Sequence, residues 1–293
     1  MTGDPSEAFA RLGDATRMEI LDALAAVDEG CVRRVTRGFT DLFEATDAET
    51  TAGFSYHLRQ LRDEYVEEVE DGYRLTYAGL AVVRETAAGT FTERFDHDPI
   101  SVPDPCPFCE GALVATGEDN VLTVACDDCD RDVLALPFPP GGHATHDDEA
   151  LLDAFDRHHR HRVQVFREGS CPECGGATDR AVEMSDERPR ATFECTACGD
   201  GLRCPVALTV LEHPAVVSLY HEHGEDVRDH PVWNVGPEWT ETVLSEEPVC
   251  VRVGVRVGED HLAVLVGEDC SVVHTERTTV DPQESEAADP TAA

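Results

Sequence analysis

The sequence of 293 residues predicts an α+β multidomain protein, and three features carry that expectation. Residues 5–90 show helical periodicity interrupted by one tight hairpin signal. Four Cys-x-x-Cys pairs lie between Cys106 and Cys198. A run with valine at every second position, Val249 to Val257, marks an antiparallel sheet further on. The expected division is 1–95, 100–205, 206–278 and a tail, 279–293, whose lack of large apolar side chains predicts disorder. The Pro-rich stretch Asp98 to Pro107 is the expected boundary after the first domain, and Pro137 to Gly142 an internal loop.

In the first domain, Ser6 to Leu12 reads as a short helix with Phe9 and Leu12 inward. Asp14 can cap a helix from Thr16 to Ala26, with Ile20, Leu21 and Leu24 as its stripe. A third helix is expected over Phe39 to Ala45. A fourth starts at Asp47 or Thr50 and turns Phe54, Leu58 and Leu61 to the core. Two short strands follow, around Tyr65 to Val69 and Gly72 to Leu75, with Asp71-Gly72 as the turn. Tyr77 to Thr86 closes the domain. Helices, hairpin and closing helix in this order predict an N-terminal winged helix-turn-helix.

The residues also resemble the ArsR-like winged-helix transcription regulators. The carriers are Leu12-Gly13-Asp14-Ala15-Thr16-Arg17-Met18-Glu19-Ile20-Leu21, then Phe54-Ser55-Tyr56-His57-Leu58-Arg59-Gln60-Leu61, then Gly72-Tyr73-Arg74-Leu75-Thr76-Tyr77-Ala78-Gly79. The whole layout, with Cys knuckles after the head, resembles a set of haloarchaeal winged-helix proteins of largely unassigned function. The resemblance implies a homodimer on double-stranded DNA with the fourth helix in the major groove. It does not extend to the paired metal-sensing cysteines of some members, because Cys31 stands alone in that region.

Charge is distributed unevenly. Sixty acids face 23 bases, all of them Arg, for a net of -37. Such a balance ordinarily argues against nucleic acid. A lysine-free acidic surface is also what a molar-salt cytoplasm would select, where screening shortens to about 3 Å at 1 M, so the argument weakens. Against this background, Cys31 to Thr40 holds three Arg and no acid, and Thr50 to Arg62 holds Arg59 and Arg62 and no acid. Arg33, Arg34 and Arg37 are therefore candidate phosphate contacts. Thr51, Ser55, Tyr56 and Arg59 are candidate base contacts, and His57 and Arg62 complete the DNA-binding set. Glu67, Glu68, Glu70 and Asp71 make the wing a poor phosphate binder.

The cysteines form two tandem four-cysteine, zinc-ribbon-like units with an intervening helix. Cys106-x-x-Cys109 is followed by Cys126-x-x-Cys129, and Cys171-x-x-Cys174 by Cys195-x-x-Cys198. Two thiols on a tight turn address one ion, and two such turns complete a tetrahedron. Two structural zinc ions (Zn2+) are the expected cofactors, with pairing inside each unit or between the units left open. Four-thiolate sites are closed, which points away from zinc catalysis.

The helix between the units carries His158, His159 and His161 among Arg157, Arg160 and Arg162, and reads as a solvated basic face. His213, His221, His223 and His230 read as caps and surface residues; Cys204, Cys250 and Cys270 read as core. A helix at Pro214 to Glu222 precedes an antiparallel β-meander of three strands, Val249–Val257, Leu262–Val266 and Ser271–Thr275.

No run of about 20 apolar residues is present, and Met1 to Ala10 lacks a basic apolar leader. A soluble, cytoplasmic protein with no membrane partner is expected. No nucleophile elbow, phosphate loop or His-Glu-x-x-His motif occurs, so no enzyme is expected. The leading functional expectation is a DNA-binding regulator whose zinc-stabilised C-terminal part senses an effector or a protein partner. The alternatives are a zinc-ribbon interaction adaptor with a dimerising head and, more remotely, a metal-dependent enzyme using the His cluster.

Overall fold

The computed structural model describes residues 4–28, 31–185, 188–234, 236 and 238–279. The fold is mixed α+β with several antiparallel sheets. The chain divides into two compact units: the residues up to Phe95 with Pro139–Ala144, and Asp96–Phe138 with the residues from Thr145 onward. The expected tail residues 280–293 lie outside the described residues.

The first unit contains helices α1 (Pro5–Leu12) and α2 (Ala15–Ala23), strands β1 (Ala25–Asp28) and β2 (Cys31–Arg34), helices α3 (Phe39–Glu44) and α4 (Thr51–Leu61), strands β3 (Val66–Val69) and β4 (Gly72–Leu75), and helix α5 (Tyr77–Ala87). Side-chain caps start four of the helices: Asp4 accepts from the Ser6 N–H, Asp14 from Arg17, Thr50 from Gly53 and Thr76 from Gly79. Helix α2 stops short of the expected Ala26, because Ala25 and Ala26 pair with Arg34 and Arg33 in a hairpin. Ile20, Leu21, Leu24, Phe54, Leu58, Leu61 and Leu75 form the core. Phe54 is gripped edge-on by Phe39 and Phe43, with ring centroids 5.1 and 5.4 Å away. Phe9 is corrected: it is 67% exposed, and α1 is instead tied down by the Tyr65 hydroxyl, which donates to the Ala8 carbonyl at 3.0 Å.

The second unit begins with strands β5 (His97–Pro105), β6 (Ala112–Glu118), β7 (Val121–Cys126) and β8 (Asp132–Pro137), an antiparallel meander in that order. The stretch expected to be a linker is thus the edge strand β5. An edge tolerates its prolines, which have no N–H to give a ladder, and the pairing with β6 shifts register on either side of Ile100–Val102. Helix α6 (Pro140–Thr145) follows, most of it grouped with the first unit, then helix α7 (Asp148–Arg167). Strands β9 (Thr178–Ser185), β10 (Arg188–Cys195) and β11 (Gly201–Pro205) make a three-stranded sheet. A 3-10 helix (Val206–Val210) and helix α8 (Pro214–Glu222) lead to β12 (Trp239–Glu246), β13 (Val249–Val257), β14 (Asp260–Gly267) and β15 (Val272–Thr279).

The final meander has four strands where three were expected. β12 escapes the alternation rule because an inward position holds Glu241, whose carboxylate accepts the Ala207 N–H at 2.7 Å at the start of the 3-10 helix. β15 runs to Thr279, past the expected end at Thr275. The segments 100–205 and 206–278 are also not separate: one core runs continuously from Ile100 to Cys270. The Val182 N–H donates to the Glu268 carbonyl at 2.7 Å, and the Cys270 thiol to the Ala181 carbonyl at 3.4 Å, joining β9 to the β14–β15 turn. Cys204 and Cys270 are buried as expected, and Cys250 is half-buried. Among the described residues no helix is long and apolar enough to cross a membrane.

Gly79 sets the close approach of α5 to the first unit's core: a Cβ there would lie 2.1 Å from the Tyr65 carbonyl oxygen. Gly79→Ala is expected to destabilise the first unit by about 1–3 kcal/mol through overpacking. Urea denaturation followed by far-ultraviolet circular dichroism checks this, with an unchanged midpoint as the contrary result.

Candidate metal centres

Each Cys-x-x-Cys pair sits where a strand or helix leads into or out of a tight turn. Cys106 follows β5 and Cys126 ends β7; Cys171 follows α7 and Cys195 ends β10. The sheet registers bring the turns of each unit together, because β6 pairs with β7 and β9 with β10. The sulfurs of Cys106, Cys109, Cys126 and Cys129 lie within 4.8 Å of one another, as do those of Cys171, Cys174, Cys195 and Cys198. Pairing is therefore within each unit.

The separations fit one ion at each centre. Cys106–Cys129 and Cys109–Cys126 are 3.9 and 3.5 Å apart; Cys171–Cys198 and Cys174–Cys195 are 3.7 and 3.5 Å. A disulfide would require about 2.05 Å, and the described cysteines are free. A tetrahedron with bonds of about 2.3 Å has edges of about 3.8 Å. Two metal ions of the zinc type are thus accommodated, with no coordination position left over.

Backbone N–H groups prepare the sulfurs for charge. Phe108 donates to Cys106 at 3.4 Å, Gly176 to Cys174 at 3.3 Å and Ala197 to Cys195 at 3.4 Å. Gly176 makes its approach only because it lacks a side chain, since a Cβ would sit 2.9 Å from that of Ala197. The Cys198 and Ala197 N–H groups draw the Cys195 thiol down to about 6. Cys198 moves the other way: its Asp200 N–H favours the thiolate, but the crowd of sulfurs outweighs it. Four thiols in such a cluster need a cation before all can ionise.

The second centre has a basic clamp that was not expected from the sequence. Arg162 of α7 donates to both Asp200 oxygens at 3.0 Å and pairs with Glu173 inside the first knuckle of that centre. Its charge offsets the net charge of about -2 that four thiolates and a divalent ion would leave. At the first centre, Arg131 lies over the Phe108 ring, 5.0 Å from its centroid, and the Ala112 N–H binds Asp128 at 3.0 Å. The missed signal was periodicity: Arg162 falls three residues after His159 and one before Val163, on the shoulder of the inner face.

The basic face expected on α7 is corrected as well. His159 and Arg160 are buried, His158 is half-buried, and His161 is exposed. Positions 155, 159, 163 and 166 form one inward stripe, which places His159 between Phe155 and Val163. Arg160 bonds the His230 carbonyl at 2.6 Å and lies 3.4 Å from Asp156 and 3.8 Å from Glu212. Among the described residues the histidines form no further metal-like cluster. His213 caps α8 and His223 pairs with Asp260 at 3.0 Å.

The candidate nucleic-acid residues are scattered in accessibility. Thr51, Tyr56 and Arg59 are exposed on α4, with Ser55 half-buried between them. Thr51, Ser55, Arg59 and Arg62 are spaced by four, four and three residues, which makes one helix face. Arg59 has no ion pair among the described residues. Arg62 is engaged by Glu68 at 2.6 Å, and His57 turns away to Asp14 at 3.2 Å, tying α4 to the start of α2. Arg34 is exposed, while the Arg37 guanidinium donates to the Ala23 carbonyl at 2.6 Å. The Arg33 side chain lies outside the described residues.

A family model described as a domain of unknown function (DUF7351) matches residues 103–272, more than half of the chain, and the chain belongs to that family. A second model, also a domain of unknown function (DUF7347), matches residues 5–86. No curated protein and no solved structure matches the chain.

Arg162→Met is expected to weaken metal at the second centre by about 10–100-fold and leave the first unchanged. Chelator competition on the loaded protein, read by metal analysis, should then show one ion leaving early. Because ligand thiols must lose protons to bind, retention should fall as pH falls. Equal loss from both centres would contradict the clamp.

Proposed function

We propose that this member of the DUF7351 family is a DNA-binding transcription regulator, with two structural zinc ions in a C-terminal sensing or interaction unit. In this reading the first unit is a winged helix-turn-helix that binds duplex DNA as a homodimer in the cytoplasm. The second unit carries the signal. The chemistry is occupancy of a promoter rather than bond making, and four-thiolate closure at both centres supports that.

The observation that carries the reading is the outer face of α4. It presents Thr51, Tyr56 and Arg59, and it is free of acids in a chain of net charge -37. An exposed surface without acid is the exception here. The order of elements supports the same reading, since α3 and α4 are joined by a short turn and followed by a hairpin and a closing helix. In the hairpin, Glu67 pairs with Arg74 at 2.7 Å and Glu68 with Arg62 at 2.6 Å. These pairs mute two of the acids that would otherwise repel a phosphate backbone.

Few free bases imply modest phosphate-driven affinity. That component falls with salt at a log–log slope of about -0.9 per contact. Base-edge contacts from Thr51, Ser55, Tyr56 and Arg59 would carry the remainder. The acidic surface favours one second reading, a protein-interaction adaptor whose head serves only dimerisation.

The two readings separate on Arg59→Ala. For a regulator, footprinting of zinc-loaded protein on genomic fragments in molar potassium chloride should show discrete protected sites. Arg59→Ala should weaken them by about 1–3 kcal/mol and relax the sequence preference. No site-specific footprint on any fragment would refute the regulator reading.

A further inference from the structure

A cavity of about 510 Å3 lies inside the second unit, beside the first metal centre and lined by none of the eight clustered cysteines. Leu134 and Leu136 of β8, Val163 of α7, Leu202 of β11 and Leu208 give it apolar walls. Pro107 and Phe108, from the first knuckle, close one side. The polar side chains in its lining include His159, Arg188, Arg190, Arg203, Asn234, Glu241 and the indole of Trp233.

His159 stands out among them. It is 3% exposed, and neither ring nitrogen has a hydrogen-bond partner. The Pro137 carbonyl lies near the ring and favours its protonated form, less than burial opposes it. Burial, reinforced by His158 and Arg162, draws the imidazole down to about 3, so it is neutral, with one N–H to give and one lone pair to accept. An unsatisfied buried donor is costly, and a bound molecule would satisfy it.

The charge around the cavity runs against the rest of the chain. Arg188 and Arg190 have no ion pair among the described residues, while Arg203 is held by Glu183 at 3.0 Å. The one acid in the lining, Glu241, is committed to the Ala207 N–H, and burial pushes it toward the neutral form. Apolar walls, a neutral hydrogen-bonding imidazole and two guanidinium groups that only the more distant charge of Glu241 offsets fit a narrow class of ligand.

We infer that this cavity binds a small carboxylate with an apolar body, its carboxylate met by Arg190 and hydrogen-bonded by His159. Such a ligand is an effector for the sensing unit, and only that consequence rests on the regulatory reading. Because Pro107 and Phe108 belong to the first knuckle, metal at that centre also shapes the cavity wall.

Trp233 lines the cavity, so its emission reports occupancy. The zinc-loaded full chain, without DNA, is titrated in molar potassium chloride with decanoate, 2-naphthoate and decanol. Saturable binding of either acid is expected, with decanol about tenfold weaker and Arg190→Gln about tenfold weaker for the acid. His159→Phe should weaken the acid as well; its metal content and circular dichroism verify folding, and the half-buried Arg190 gives an independent variant. No saturable binding of either acid would overturn the proposal, as would decanol equal to decanoate or an Arg190→Gln variant equal to the parent. Since DNA is absent, an empty cavity leaves operator footprints untouched, and a missing footprint leaves the cavity result standing.

Discussion

The second unit depends on four sulfurs converging at each of two points. At each point two separate turns are tied to one centre by four side chains. Structural zinc in small four-ligand sites contributes an apparent 10–16 kcal/mol or so, which equals or exceeds the net stability of about 5–15 kcal/mol typical of a whole domain. Sheets β5–β8 and β9–β11 each end in the turns that carry these sulfurs. Their strand registers bring those turns together, and β8 and β11 also line the cavity.

Helix α7 transmits that order. One turn of it carries His159 into the cavity and Arg162 to the second centre, while Arg160 locks to the His230 carbonyl. The helix is acidic at its start, Asp148 and Glu149, and basic along its second half, which suits its dipole. Arg160 and Arg162 are engaged internally. A chain with 23 bases and 60 acids has few cations in reserve, and in this helix Arg160 and Arg162 serve positioning while Arg157 stays exposed.

Much of this was legible in the sequence. Spacing alone picked out all eight cysteines that converge in the two clusters, since two thiols three residues apart leave little freedom in how they converge. The helices of the first unit were legible from periodicity and from Asp14 and Thr50 as caps. What escaped has physical reasons. β5 was obscured by prolines that only an edge strand tolerates. β12 was obscured by Glu241, an acid turned inward to satisfy a backbone N–H. His159 and Arg160 read as solvated because charge outweighed their place on the Phe155–Val163 stripe. Phe9 read as core, although α1 fully buries none of its residues and is held by partly buried Leu12 and by polar contacts such as Tyr65 to the Ala8 carbonyl. The single core of the second unit could not be read at all, because it arises from contacts between segments far apart in the chain.

The segment Thr51–Leu61 that forms α4 holds no acid in a strongly acidic chain, and the proposed regulator would read DNA there. The most direct test is a genome-wide chromatin pull-down of the tagged, full-length chain in its own cells, beside the Arg59→Ala variant. Discrete peaks sharing one sequence motif, lost in the variant, are the predicted result. A uniform background, or peaks that the variant keeps unchanged, would contradict the claim that α4 reads DNA.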